Sequence, residues 1–194
     1  MSWMQTFTGR RLNLLDPLQD EISIVDIACA LSNLCRFTGH TSMPAQFGRM
    51  PVFYSVAQHS VHVSEVVTSK GVMGSAAWYE DKRWGLLHDA SEAYMNDVNS
   101  PLKGHLPKYK DIERRLMWEI MRKFGLSPHR VPESVHRADW AVGATEAFQL
   151  IEGSKDGWRL QEKPADIKIL PWSPKTAHDM FMYRFRELFP DYME

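Results

Sequence analysis

A histidine and an aspartate stand side by side in the apolar run Gly85-Leu86-Leu87-His88-Asp89-Ala90-Ser91-Glu92, and any fold this chain adopts has to accommodate them. Burying an imidazole and a carboxylate together is costly unless something compensates, and a divalent cation is the simplest compensation. His59 upstream and Asp139 downstream complete a set of four donors carried on three separate helical segments. Three helices must therefore meet at one point, and a metal-centred enzyme is the leading reading.

At 194 residues the chain is long enough to bury a sizeable core, and a single domain spanning residues 1–194 is expected. A formal net charge of −1 gives no excess that would attract polymeric nucleic acid, although a local basic cluster could still hold a small phosphorylated ligand. Cys29 and Cys35 form neither a disulfide framework nor a zinc knuckle, and both are expected reduced, in or near the core. No apolar run approaches the roughly 20 residues of a membrane span. With no signal-like N-terminal pattern either, a cytoplasmic protein without membrane contact is the expectation.

Helical periodicity dominates the rest. Residues 5–16, with Gly9 at a turn, read as a short β-hairpin. From the N-cap Ser23, the positions Ile24, Ile27, Ala28, Leu31 and Leu34 predict a helix reaching residues 35–36. Residues 38–51 read as a loop, a length that is usually functional or mobile. Further helices are expected over 54–69, 76–96, 107–124 (stopped by Gly125), 131–151 and from Pro174 to about residue 189, the last capped by Ser173. The sum is an all-α bundle of roughly six or seven helices with a minor N-terminal hairpin. Met180, Phe181, Met182, Phe185 and Phe189 on the last helix read as core packing.

His59 lies in a stripe of valines and should face inward. Asp139 shares a face with Val135, Ala138 and Val142, and no local partner for it is obvious. Two imidazoles and two carboxylates suit an octahedral Mn²⁺, Co²⁺, Fe²⁺, Ni²⁺ or Mg²⁺ and leave positions open for substrate. Glu92 follows Asp89 by three residues and His88 by four, a spacing that puts it on the same helical face as a proton-transfer group. Asp97 could act with it, and Lys103 could meet a phosphate.

The arrangement His59, His88-Asp89, Asp139 matches the H…HD…D signature of the HD-domain metal-dependent phosphohydrolases. The flanking segments 54–61 and 86–94 make the chain resemble the 5′-deoxynucleotidase branch and the phage-type dATP and dNTP triphosphohydrolases. That resemblance implies an HD-domain fold, one divalent ion (with zinc an alternative in purified protein) on His59, His88, Asp89 and Asp139, and Glu92 activating the attacking water with Asp97. It further implies that Arg36 contacts phosphate and Phe37 packs near sugar or base, that Lys103 faces phosphate, and that the protein forms a homo-oligomer, a dimer or larger. His40 is a candidate pocket-lining residue, and Arg49, Lys108 and Lys110 could serve a triphosphate tail. Glu92 is followed by Ala93, unlike the HDxxED pattern of guanosine tetraphosphate hydrolases, and no Gly-Tyr-Pro element is present. The expected function is hydrolysis of a 2′-deoxynucleotide phosphoester or anhydride. The alternatives are a nucleotide-binding regulatory module with weak or no catalysis, and a hydrolase of another phosphorylated metabolite. His62, His105, His129 and His136 are left as candidates for a second metal.

Overall fold

The structure, a computed structural model, describes residues 3–69, 71–127, 131–154 and 160–193. His129 lies outside them. Strands β1 (Trp3–Gln5) and β2 (Arg11–Asn13) pair antiparallel in the expected N-terminal hairpin. Helix α1 (Ile24–Asn33) begins at Ser23, whose hydroxyl accepts from the Val25 and Asp26 amides. There follow β3 (Ser42–Pro44), β4 (Arg49–Pro51), α2 (Val56–Val66), α3 (Ala76–Leu87), α4 (Glu92–Met95), α5 (Ser100–Lys103), α6 (Pro107–Lys123), α7 (Glu133–Leu150) and α8 (Pro174–Leu188). Among the described residues six helices have ten residues or more and two are single turns, which makes the protein an all-α bundle with a minor β component. Among the described residues no helix is long and apolar enough to cross a membrane.

All six long helices contribute to one apolar core, including Ile27, Val61, Trp84, Leu116, Val142 and Phe181. Phe181, Phe185 and Phe189 pack inward as their spacing predicts. Phe185 stacks on Phe189 with centroids 4.4 Å apart, and Phe124 meets Phe185 edge-on.

Three local departures from the expected elements bear on the site. First, α1 stops at Asn33 rather than at 35–36, because the chain turns extended there. Arg36 N–H donates to Tyr54 O and Val56 N–H to Leu34 O, both at 2.9 Å, which lashes the end of α1 to the start of α2. Second, the expected loop over 38–51 contains the β3–β4 hairpin, whose Arg49 guanidinium donates to Ser42 Oγ and O. Third, the helix expected over 76–96 breaks at His88. Its last turn tightens, with Ala90 N–H donating to Leu87 O and Glu92 N–H to Asp89 O, and α4 begins at Glu92.

Gly85 sets the distance between α2 and α3. A methyl group there would sit 3.0 Å from Ser64 Cα and 3.1 Å from Val67 Cγ2, tighter than ordinary contact, so a side chain at this position presses the two helices apart. Gly85→Val is therefore expected to cost at least about 1–3 kcal/mol through overpacking, measured as a lowered urea midpoint. An unchanged midpoint would show that the two helices are not held apart by contact at this residue.

Candidate metal centre

The close approach at Gly85 brings His59 on α2 against His88 at the end of α3, with Nε2 atoms 3.3 Å apart. Both rings are fixed from behind. His59 Nδ1–H donates to Glu146 Oε1 at 2.7 Å, and His88 Nδ1–H donates to Gly85 O at 2.8 Å. These bonds place the ring protons on Nδ1 and leave two Nε2 lone pairs facing each other. Asp139 Oδ1 stands 3.1 Å from His59 Nε2 and 3.9 Å from His88 Nε2. Asp89 Oδ2 stands 3.7 Å and 3.3 Å from the same two atoms. With both rings neutral, four acceptors converge on one point, an arrangement that can hold either protons or a metal ion.

The titration behaviour follows from this crowding. Burial and Arg36 oppose protonation of His59, yet Glu146 and Asp139 outweigh them and push its pKa up to about 9. Burial likewise opposes the His88 charge, and Asp89 overcomes it, so that ring too is raised. Burial would raise Asp89 and Asp139, but the two imidazoles hold both below the ordinary carboxylate range. Protons and a divalent ion compete for the same lone pairs. His59, His88 and Asp139 can each offer an atom to one ion, since those atoms lie within 4.8 Å of one another, and Asp89 Oδ2 flanks them. The mixed nitrogen and oxygen set fits a borderline or hard divalent metal.

Glu146 escaped the sequence reading. It is fully buried and accepts from Tyr54 Oη at 2.7 Å, Arg36 Nε at 3.1 Å and His59 Nδ1. It lies seven residues after Asp139, two turns along the same face of α7, and that spacing was the available signal. Tyr54, also fully buried, completes the support.

Two clefts open from the cluster, and both are bordered by Asp89, Lys103 and Asp139. One, of about 410 Å³, runs between α3, α6 and α7 past Trp84, Met117, Trp118 and His136. The other, of about 770 Å³, runs past Arg36, Phe37, Glu92, Asp97 and Trp140. Glu92 is buried on its wall, and its Oε2 has no hydrogen-bond partner among the described residues. Burial, followed by Asp89 and Asp97, raises its pKa well above the carboxylate range. Asp97 is raised as well, by burial first, with Arg36 opposing and Asp89 reinforcing.

No family model matches the chain. The uncharacterized protein YfdR of Escherichia coli K12 is 38% identical over 193 residues, covering 97% of this chain and 96% of its own length. This chain belongs to the YfdR family. An uncharacterized protein of Rhodobacter capsulatus is 32% identical over 173 residues, which cover 87% of this chain and 83% of that one.

In this YfdR-family protein the structure brings some of the expected site residues together and leaves others apart. His59, His88, Asp89 and Asp139 converge. Glu92, Asp97, Phe37, His40 and Lys103 line the larger cleft. Arg36 is there too, but its guanidinium is bonded to Glu146 at 3.0 and 3.1 Å and lies 3.7 Å from Asp89. Its first task is to hold the cluster's support. Lys103 Nζ meets Glu113 at 2.5 Å while bordering both clefts. Arg49 is bound within the β3–β4 hairpin, whereas Lys110 lines the smaller cleft. His62 packs on Trp172, with ring centroids 5.3 Å apart, and pairs with Gln58 Nε2 and Glu65, so it stands outside the cluster. Phe37 and Thr38 adopt left-handed backbone angles, φ 51° and 54°, a conformation that costs non-glycine residues about 1–3 kcal/mol each and concentrates at functional sites.

Proposed function

We propose that this protein is a metal-dependent phosphohydrolase that cleaves the phosphoester of a 2′-deoxynucleotide, either a monophosphate or a triphosphate. The observation that carries the reading is the set of oriented Nε2 and carboxylate atoms beside a buried Glu92 whose Oε2 has no hydrogen-bond partner among the described residues, at the mouth of a cleft. His59, His88, Asp89 and Asp139 would hold the ion, which supplies Lewis acidity at the phosphoryl oxygens. Glu92 takes the proton of a water that attacks phosphorus. The P–O bond to the 5′ oxygen breaks with its electron pair on that oxygen, which Asp97 or solvent then protonates. Carboxyl groups held above their ordinary pKa by burial suit such transfers. Lys103 supplies positive charge where the two clefts meet, and Arg36 offsets Asp89 and Glu146. A homo-oligomeric state, dimer or larger, belongs to the same reading and is read by light scattering.

The test is a screen of all deoxynucleoside mono- and triphosphates with Mn²⁺, Co²⁺ and Mg²⁺, following phosphate and triphosphate separately. Release that disappears with a chelator and returns with one of these metals is the expected result. A metal-replete sample that releases neither product would overturn the proposal.

A further inference from the structure

Two glycines lie within long helices near the cluster, and they differ. Gly85 has a packing reason in the atoms of α2 set closely against it. Gly143 is not required by any: apart from its chain neighbours and the backbone of its own helix, no described atom lies within 4 Å of where its Cβ would stand, and Gly143 borders the larger cleft. Glycine is the poorest helix former after proline, so its place in the middle of the 18-residue α7 needs a reason. The fold supplies none; a ligand lying against the bare backbone does.

We propose that Gly143 forms the floor of a nucleobase subsite, with a planar heterocycle laid flat on α7 at Gly143 and Ala144. The inference rests on the hydrolase reading for its phosphate and adds where the rest of the molecule goes. The cleft walls have the composition such a ring needs. Phe37, Trp140, Ile151 and Leu160 border the same space, and Trp140 and Leu160 are more than a third exposed to it or to solvent. The Arg36 guanidinium sits 5.4 Å over the Phe37 ring, and the left-handed backbone at Phe37 and Thr38 is the kind of strain that a binding site retains. Glu92, more than nine-tenths buried with Oε2 unpartnered, borders the same cleft and marks it as built to receive something polar. The spacing agrees with a 5′-nucleotide. Gly143 follows Asp139 by one helical turn, about 6 Å along the axis, and one sugar separates a 5′ phosphate from its base.

The probe is 2′-deoxyadenosine, which carries base and sugar but no phosphate, titrated calorimetrically into the purified full-length protein. Wild type is expected to bind it and to show no heat with 2-deoxyribose. Gly143→Leu should bind at least tenfold more weakly, with a thermal midpoint equal to or above wild type, since leucine is the better helix former. Gly143→Ala, which adds one methyl group, should weaken binding about threefold and keeps the test available if the leucine variant does not fold. A wild type that ignores deoxyadenosine, or variants that bind it unchanged, would overturn the subsite. Binding of deoxyadenosine without hydrolysis of any deoxynucleotide would sink the hydrolase reading and leave the subsite standing. Hydrolysis of deoxyribose 5-phosphate as fast as of the deoxynucleotide would do the reverse.

Discussion

Glu146→Ala is expected to lower stability by about 3–5 kcal/mol, the usual loss when one partner of a buried charge pair is removed. For a chain of this length that corresponds to a fall of roughly 6–20 °C in thermal midpoint. The carboxylate is fully buried and binds Tyr54, His59 and Arg36 together, so its loss strands a buried guanidinium and frees the His59 ring to turn. Burial opposes its charge, but Arg36 and then His59 outweigh burial and pull its pKa from 4.5 down to about 2. A depressed carboxylate contributes stability above its unfolded value and loses it as pH falls, here from 4.5 toward 2. His59 has the opposite sign. Its pKa is raised from 6.5 to about 9, so in metal-free protein its contribution is complete below 6.5 and is lost as pH rises through 9. These two groups together favour the window between about pH 4.5 and 6.5. Urea unfolding of metal-free protein across pH should show both limbs in wild type and flattened limbs in Glu146→Ala. A variant within 1 kcal/mol of wild type and with an unaltered pH profile would mean that the Glu146 network is not what holds His59.

The same network shows what was legible in the sequence and what was not. Helix faces could be read because burial of apolar residues enforces a period. That period set His59 among valines and Asp139 beside Val135 and Val142, and both face the cluster. Glu146 obeys the same rule two turns beyond Asp139, yet a lone glutamate in a helix reads as solvated until its partners are known. Those partners, Arg36, Tyr54 and His59, lie 110, 92 and 87 residues away, and no local pattern announces contacts of that range. The break of α3 at His88 was hidden for a different reason. Its turn keeps right-handed angles (φ −60°, ψ −31° at His88) and differs only in drawing bonds from i+3, which leaves the apolar spacing almost unchanged. The β3–β4 hairpin has strands of three residues, too short for alternation to stand out from a loop. Arg36 was visible as a basic residue before an aromatic one, but only the fold reveals that two of its nitrogens are already committed to Glu146.

Glu92→Gln separates the metal-holding part of the site from the proton-transfer part, and it is expected to reduce kcat by about 10²- to 10⁴-fold. Glutamine keeps the shape and can still hydrogen-bond to water, but it cannot accept a proton. Metal content should be unchanged, because Glu92 is not among the converging donors. Stability should hold or rise. In wild type, burial together with Asp89 and Asp97 raises the Glu92 pKa, so ionising it costs the folded state increasingly as pH climbs above the ordinary value of 4.5. Removing an acid whose Oε2 has no partner removes that penalty. With metal saturating, the kcat profile of wild type should fall on the acid side, where Glu92 becomes protonated and can no longer take the proton from water. The residual rate of Glu92→Gln should lack that limb. Lost metal together with lost activity would instead place Glu92 among the groups that hold the ion. An unchanged kcat would move the proton-transfer role to Asp97, the other carboxyl on the cleft wall whose pKa is raised by burial.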